Sequence, residues 1–271
     1  MNRMPEFFDT IAANGRYAFS KQEAMEALRI SAAAFLAAAE RQQKKGRIVS
    51  PRQGFYLLLR PEDRAFGAPD PAYWIDPLME HLGIAYRVSL LRAAAHHGAS
   101  HQAAMSFQVI VPKQLKQIEL GRQRIDFVYQ RPAAFQATNR REWLTRIKTD
   151  AGYAKAAGVE LTLLDSARYP RSSGGLGGLA QMAHDLGGKA SPPVLKKAAA
   201  FYESSAVRRL GYLLASFGHR RQAEAFRGIA AKAKSNVLLD PALKPLPGLE
   251  DNDPVDETWR LVMNASVEID T

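Results

Sequence analysis

Apolar positions in the first sixty residues change rhythm twice. In "MPEFFDTIAAN", Phe7, Phe8, Ile11 and Ala12 recur near helical spacing and predict a helix. "GRYAF" follows as a short extended run. Ser20 then precedes "KQEAMEAL", with Glu23 three residues on, so that serine and glutamate can cap the helix start reciprocally. Ala24, Ala27 and Leu28 give this second helix a small apolar face. "RI" reads as a tight turn, Ser31 caps a third helix, and Gly46 ends it. "RIVS" and "FYLLL" are two β-rich runs around a turn containing Pro51 and Gly54.

Helix, helix, turn, helix and hairpin is the order of a winged helix-turn-helix, in which the helix after the turn enters the DNA major groove. That helix contains "SAAAFLAAAERQQKKG". With Leu36, Ala39 and Gln43 taken as its inner side, Ala34, Ala37, Ala38, Arg41 and Lys45 face outward. Alanines permit close approach, and their methyls can meet thymine methyls; Arg41 can reach a guanine or a phosphate. Contacts to DNA are therefore expected from Arg41, Lys44, Lys45, Arg47, Arg52 and Gln53, with Lys21 and Arg29 adding phosphate contacts.

Past residue 60, "RPEDRAFGAPDPAYW" has no clear period and reads as a linker, which places a boundary near residue 70. "IDPLMEHLG" and "YRVSLLRAAAHHG" read as helices, "FQVIV" as a buried strand, and "QIEL" with "RIDFVYQ" as a hairpin turning at Gly121. Residues 143–157 read as short strands, and "VELTLLDSARYP" as a helix ending before Pro170. "SGGLGG" lacks the GK[ST] ending of a phosphate loop and reads as a loop entering a helix. Residues 191–233 read as helical, 235–258 as an acidic, proline-rich extended arm, and 259–269 as a closing alternating strand. The expected fold class is α+β: residues 1–70 as the winged domain, then residues 71–271 as a larger mixed α/β domain with a C-terminal helical part.

Charge sharpens this division. The net charge of +10 is spread as +3 over residues 1–70, +13 over 71–234 and −6 over 235–271. A basic body with an acidic tail points to a polyanionic partner, or to a tail that folds back on the body. Among the cations, the pairs Lys196–Lys197, Arg208–Arg209 and Arg220–Arg221 decorate the helical part. There is no cysteine, which excludes disulfides, thiolate zinc sites and cysteine nucleophiles. No apolar run approaches the roughly 20 residues that span a membrane, and the N-terminus has no signal-peptide pattern, so no membrane role and a cytoplasmic location are expected.

Candidate catalytic chemistry is thin. His96, His97 and His101 lie close in sequence, but Gly98 interrupts them and no carboxylate follows at metal-site spacing. Glu160, Asp165 and Asp126 form an acidic set without the lysine of a nuclease. No G-x-S-x-G occurs. The expectation is a protein that is not an enzyme and needs no cofactor.

Beyond these local features, the chain resembles the AbiEi family of antitoxins. The resemblance rests on "QGFYLLLRPEDRAFGAPDPAYWIDPLMEHLG", "YRVSLLRAAAHHGASHQ", "FQVIV" with "RIDFVYQR", "GVELTLLDSARYPRSSGGL", "AVRRLGYLLASFG" and "WRLVMN", in that order. It implies a winged helix-turn-helix that represses its own operon, followed by an antitoxin domain that counters an AbiEii-type nucleotidyltransferase toxin. The implied system is type IV, in which direct toxin contact is not required. The implied partners are operator DNA and the cognate toxin. The family's arginine-rich recognition helix is alanine-rich here. The antitoxin surface is not legible; Arg208, Arg209, Arg220 and Arg221 are its candidates. Two rivals remain: a stand-alone winged-helix transcription factor whose C-terminal domain senses a ligand or dimerises, and a diverged nuclease using Asp126 or Glu160.

Overall fold

A computed structural model describes residues 3–99, 106–243, 254–267 and 269. His101 and the centre of the acidic arm therefore lie outside the described residues. The chain is a mixture of helices and sheets that divides into two compact units. The first gathers 1–87, 105–130 and 146–155; the second gathers 88–104, 131–145 and 156–271.

The first unit begins with α1 (Arg3–Ala13), β1 (Ala18–Ser20), α2 (Lys21–Leu28), α3 (Ala32–Lys44), β2 (Ile48–Arg52) and β3 (Phe55–Leu58). The caps are the ones the sequence encodes. Ser20 accepts from the Glu23 backbone while the Glu23 carboxylate receives the Ser20 N–H, and Ser31 accepts from Ala34 N–H. Arg29 takes a left-handed φ of 53° that stops α2 and reverses the chain into α3. Strands β1, β3 and β2 form an antiparallel sheet in that order. Pro51 lies within β2, not in the turn, which falls at Gln53–Gly54. Phe7, Phe8, Phe19, Phe35 and Tyr56 fill the space between helices and sheet. Phe19 stacks on Tyr56 at 5.6 Å and meets Phe7 edge-on at 5.2 Å, so aromatic area supplies much of this core.

The stretch from residue 61 belongs to the same unit. Tyr73 stacks on Tyr17 at 4.7 Å, and the Arg60 guanidinium sits 3.9 Å from the centre of the Tyr17 ring. After α4 (Ile75–His81) the chain makes β4 (Arg87–Val88), so "YRV" is extended and the helix, α5 (Leu90–His96), starts only after Ser89. The fully buried β5 (Phe107–Val111) runs parallel to β7 (Gln123–Tyr129), which pairs antiparallel with β6 (Ile118–Leu120). At the β6–β7 turn a Cβ added to Gly67 would lie 2.6 Å from Gly121 Cα, and Arg122 N–H donates to the Phe66 carbonyl at 2.8 Å. Only glycine permits that backbone approach at φ values of +83° and +56°.

The second unit holds α6 (Pro132–Thr138), then the chain passes through β8 (Leu144–Thr149) and β9 (Gly152–Ala157) to α7 (Val159–Arg168), α8 (Gly175–Gly187), α9 (Pro192–Ala199), α10 (Ser204–Ser216), α11 (Arg220–Glu224) and α12 (Arg227–Ala231). The glycine-rich "GGLGG" is mostly the first turn of α8, not a loop before it. Leucines and alanines of α7 to α10 make one core. Inside it the Asp165 carboxylate, with no exposed surface, accepts from Ser89 Oγ and Tyr202 OH, both at 2.7 Å. The closing alternating strand is much shorter than its sequence predicts. Only β12 (Leu261–Val262) is extended, between β10 (Val237–Leu238) and β11 (Val255–Asp256). Trp259 leaves the alternation in order to cover Gly211, where a Cβ would strike its ring. No helix among the described residues is long and apolar enough to cross a membrane.

Candidate nucleic-acid interface

Helix α3 is phased by its aromatic residue. Phe35 is fully buried edge-on against Tyr56, and Ala39 and Gln42 follow it inward at three- and four-residue spacing. The inner side expected from Leu36, Ala39 and Gln43 is therefore corrected by one position at its ends: Leu36 and Gln43 are exposed. The outward face becomes Ala33, Leu36, Ala37, Glu40, Arg41 and Lys44, all exposed. A benzyl group fills the space beneath the sheet better than an isobutyl group, and that decides the rotation.

The cations expected to meet DNA fall into two groups. Arg41 and Lys44 are exposed on α3, Arg29 on the turn before it and Lys45 just after its end. Lys44 is paired with Glu40 at 2.7 Å, and its ammonium holds the Glu40 carboxyl below the usual carboxylate range. The others are partly engaged by the fold. Arg47 lies 5.4 Å from the Phe8 ring centre. Arg52 turns inward, donates to the Lys116 carbonyl and sits over Phe127, and burial lowers its pKa. Lys21 is half-buried, and its backbone N–H donates to the Gly54 carbonyl at 2.7 Å. Gln53 is exposed at the hairpin tip, where its carbonyl accepts from His81 Nε2 at 3.2 Å. Glu40 was absent from the sequence expectation, and Leu36 stood in it on the inner side. Phasing the helix on Phe35 would have found both.

The candidate arginines of the second unit also separate. Arg220 and Arg221 are exposed at the start of α11. Arg208 is 3% exposed and donates to the carbonyls of Ser204, Ser235 and Arg260 at 3.3, 2.9 and 3.1 Å. Arg209 donates to the Leu238 carbonyl at 2.9 Å. Both arginines thus tie α10 to the C-terminal strands.

Each acidic residue of the set has its own partners. Asp126 pairs with Arg124 at 2.8 Å, Glu160 accepts from Ser191 N–H at 2.7 Å, and the buried Asp165 accepts from Ser89 Oγ and Tyr202 OH. His97 Nε2 donates to the Ala157 carbonyl at 2.8 Å. No group of three or more histidines and carboxylates among the described residues has metal-binding geometry.

Residues 87–216 match the family model of the AbiEi antitoxin C-terminal domain. No curated protein matches the chain. Among solved structures, the RV2827C protein from Mycobacterium tuberculosis is similar at 16% sequence identity with a TM-score of 0.64. The match covers 93% of this chain and 88% of that one, and at this identity it is a likeness of fold.

Proposed function

On the premise that the chain belongs to the AbiEi antitoxin family through residues 87–216, we propose that it protects against a nucleotidyltransferase toxin and represses its own operon through an N-terminal winged helix-turn-helix. An antitoxin role in a toxin–antitoxin pair follows from the family. The identity of the toxin as AbiEii-type and the DNA-binding role are the proposed parts. The observation that carries the DNA-binding part is the outward face of α3. Its Arg41, Lys44 and neighbouring Lys45 are exposed beside a sheet-backed aromatic core. Operator contact is assigned first to Arg41, Lys44, Lys45 and Arg29. Gln53 and the half-engaged Lys21, Arg47 and Arg52 are assigned to the flanks.

Replacing Arg41, Lys44 and Lys45 together by alanine is expected to weaken binding to duplex DNA by at least tenfold. Each cation withdrawn from a phosphate flattens the salt slope by about 0.9. Anisotropy titrations at several salt concentrations check this. Unchanged binding would move the interface away from α3.

Protection is tested in the same chain. The first unit spans residue 70, so point variants serve better than a cut there. Co-expressed with a nucleotidyltransferase toxin of the AbiEii type, the triple-alanine variant is expected to restore growth as well as the parent chain while losing repression. Reversing the exposed Arg220 and Arg221 to glutamate is expected to reduce protection without lowering the melting temperature. Failure of the parent chain to restore growth would leave a regulator without an antitoxin role.

A further inference from the structure

The outward face of α3 has two unlike halves. Toward its N-terminus it is apolar: Leu36 is 50% exposed, flanked by the exposed methyls of Ala33 and Ala37. Toward its C-terminus it is charged, and it includes Glu40, the one acid in the helix. An exposed leucine is ordinary by itself. Here it lies beside two alanine methyls on the side of the helix turned away from Phe35. A carboxylate on a face meant for phosphates is repelled by them, and it is useful only where a hydrogen-bond donor awaits it.

Resting on the DNA-binding reading above, we propose that this face reads sequence in the major groove. Leu36, Ala33 and Ala37 pack on the methyls of a short thymine run, and Glu40 accepts from the amino group of an adjacent cytosine. The surrounding cations supply charge complementarity to the duplex. The chemistry matches the groove. Thymine alone presents a methyl there, and cytosine presents an amino donor that a carboxylate accepts from. The spacing matches as well. Ala33 to Glu40 is about 10 Å of helix at ~1.5 Å per residue, close to three base steps at ~3.4 Å each. Lys44 keeps Glu40 ionised and oriented in the free protein, and on docking it can transfer to a phosphate.

The test uses the full chain and a pool of duplexes with a randomised core. Selection is expected to enrich thymines next to a cytosine. Replacing those thymines by uracil, which removes only methyls, is expected to weaken binding about fourfold per contacted methyl. Leu36→Ala should lose most of that methyl dependence, so that thymine and uracil forms of the selected duplex bind it nearly alike. Glu40→Gln should change the preferred base from cytosine to adenine, because an amide pairs with adenine's acceptor and donor. Both side chains are exposed, and unchanged melting temperatures will verify folding. A selected site indifferent to uracil, or a Glu40→Gln variant with the parent's base preference, overturns the inference while DNA binding stands. No binding to the unselected pool even at low salt overturns the DNA-binding reading as well.

Discussion

Arg208→Ala is expected to destabilise the protein by on the order of 3 kcal/mol, although the substitution removes one of many cations from a basic chain. The guanidinium is almost wholly buried, and its desolvation is offset by the carbonyls of Ser204, Ser235 and Arg260. Alanine removes three hydrogen bonds made by a charged donor, of which the Arg260 carbonyl keeps a second donor in Val237 N–H, and a hydrogen bond to a charged group contributes about 1.5–3 kcal/mol. Two of the three lie in the segments that frame the C-terminal strands, so those strands should loosen first. Thermal unfolding and limited proteolysis check this, with Tm falling by several degrees and early cleavage after residue 230. Arg221→Ala, on the exposed face, should stay within about 0.5 kcal/mol of the parent. Equal melting temperatures for the two variants would remove Arg208 from the core. Loss of protection from an Arg208 variant would then report unfolding, and loss from Arg221 a surface contact.

Asp165→Ala is the second large effect, expected at about 3 kcal/mol. Ser89 and Tyr202 bring hydroxyl donors into the core from separate parts of the second unit, and both donate to this carboxylate. Without it, each of these hydroxyls loses the carboxylate it donates to inside the core, and a lost hydrogen bond to a charged group costs about 1.5–3 kcal/mol. Asp165→Asn should cost less, since the amide oxygen still accepts and either hydroxyl can rotate to accept from the amide nitrogen. Urea titrations read the difference as a shifted midpoint at constant slope. An alanine variant as stable as the asparagine variant would mean that the two hydroxyls find other partners.

Much of the N-terminal architecture was legible because it rests on local chemistry. Ser20 and Ser31 cap the helices they precede, Glu23 closes the box with Ser20 from inside α2, and alternation with a glycine turn gives the hairpin. The rotation of α3 was missed because alanines make all its sides look alike, so the choice between Phe35 and Leu36 needed the sheet opposite. Arg208–Arg209 and Arg220–Arg221 are the same dipeptide. Only the long-range return of residues 235–260 makes one pair internal and leaves the other at the surface. Arg52 is likewise engaged by Lys116, a partner more than sixty residues away. The short β12 reflects Gly211, whose missing side chain admits Trp259 and ends the alternation. The likeness to the AbiEi antitoxins, which the family model matches over residues 87–216, was legible from the order of several weak segments, because order survives where single motifs do not.

The close approach of Gly67 to Gly121 bears on how such a protein can diversify. A recombination event whose crossover fell between residues 67 and 121 would set one lineage's residue 67 against another lineage's residue 121. A single β-carbon at either glycine would then be enough to hold the two pieces apart. Under the proposed DNA-binding role, new operator preferences should therefore arise by substitutions on the exposed side of α3, which leave that seam untouched, and inheritance of the unit should be all or none.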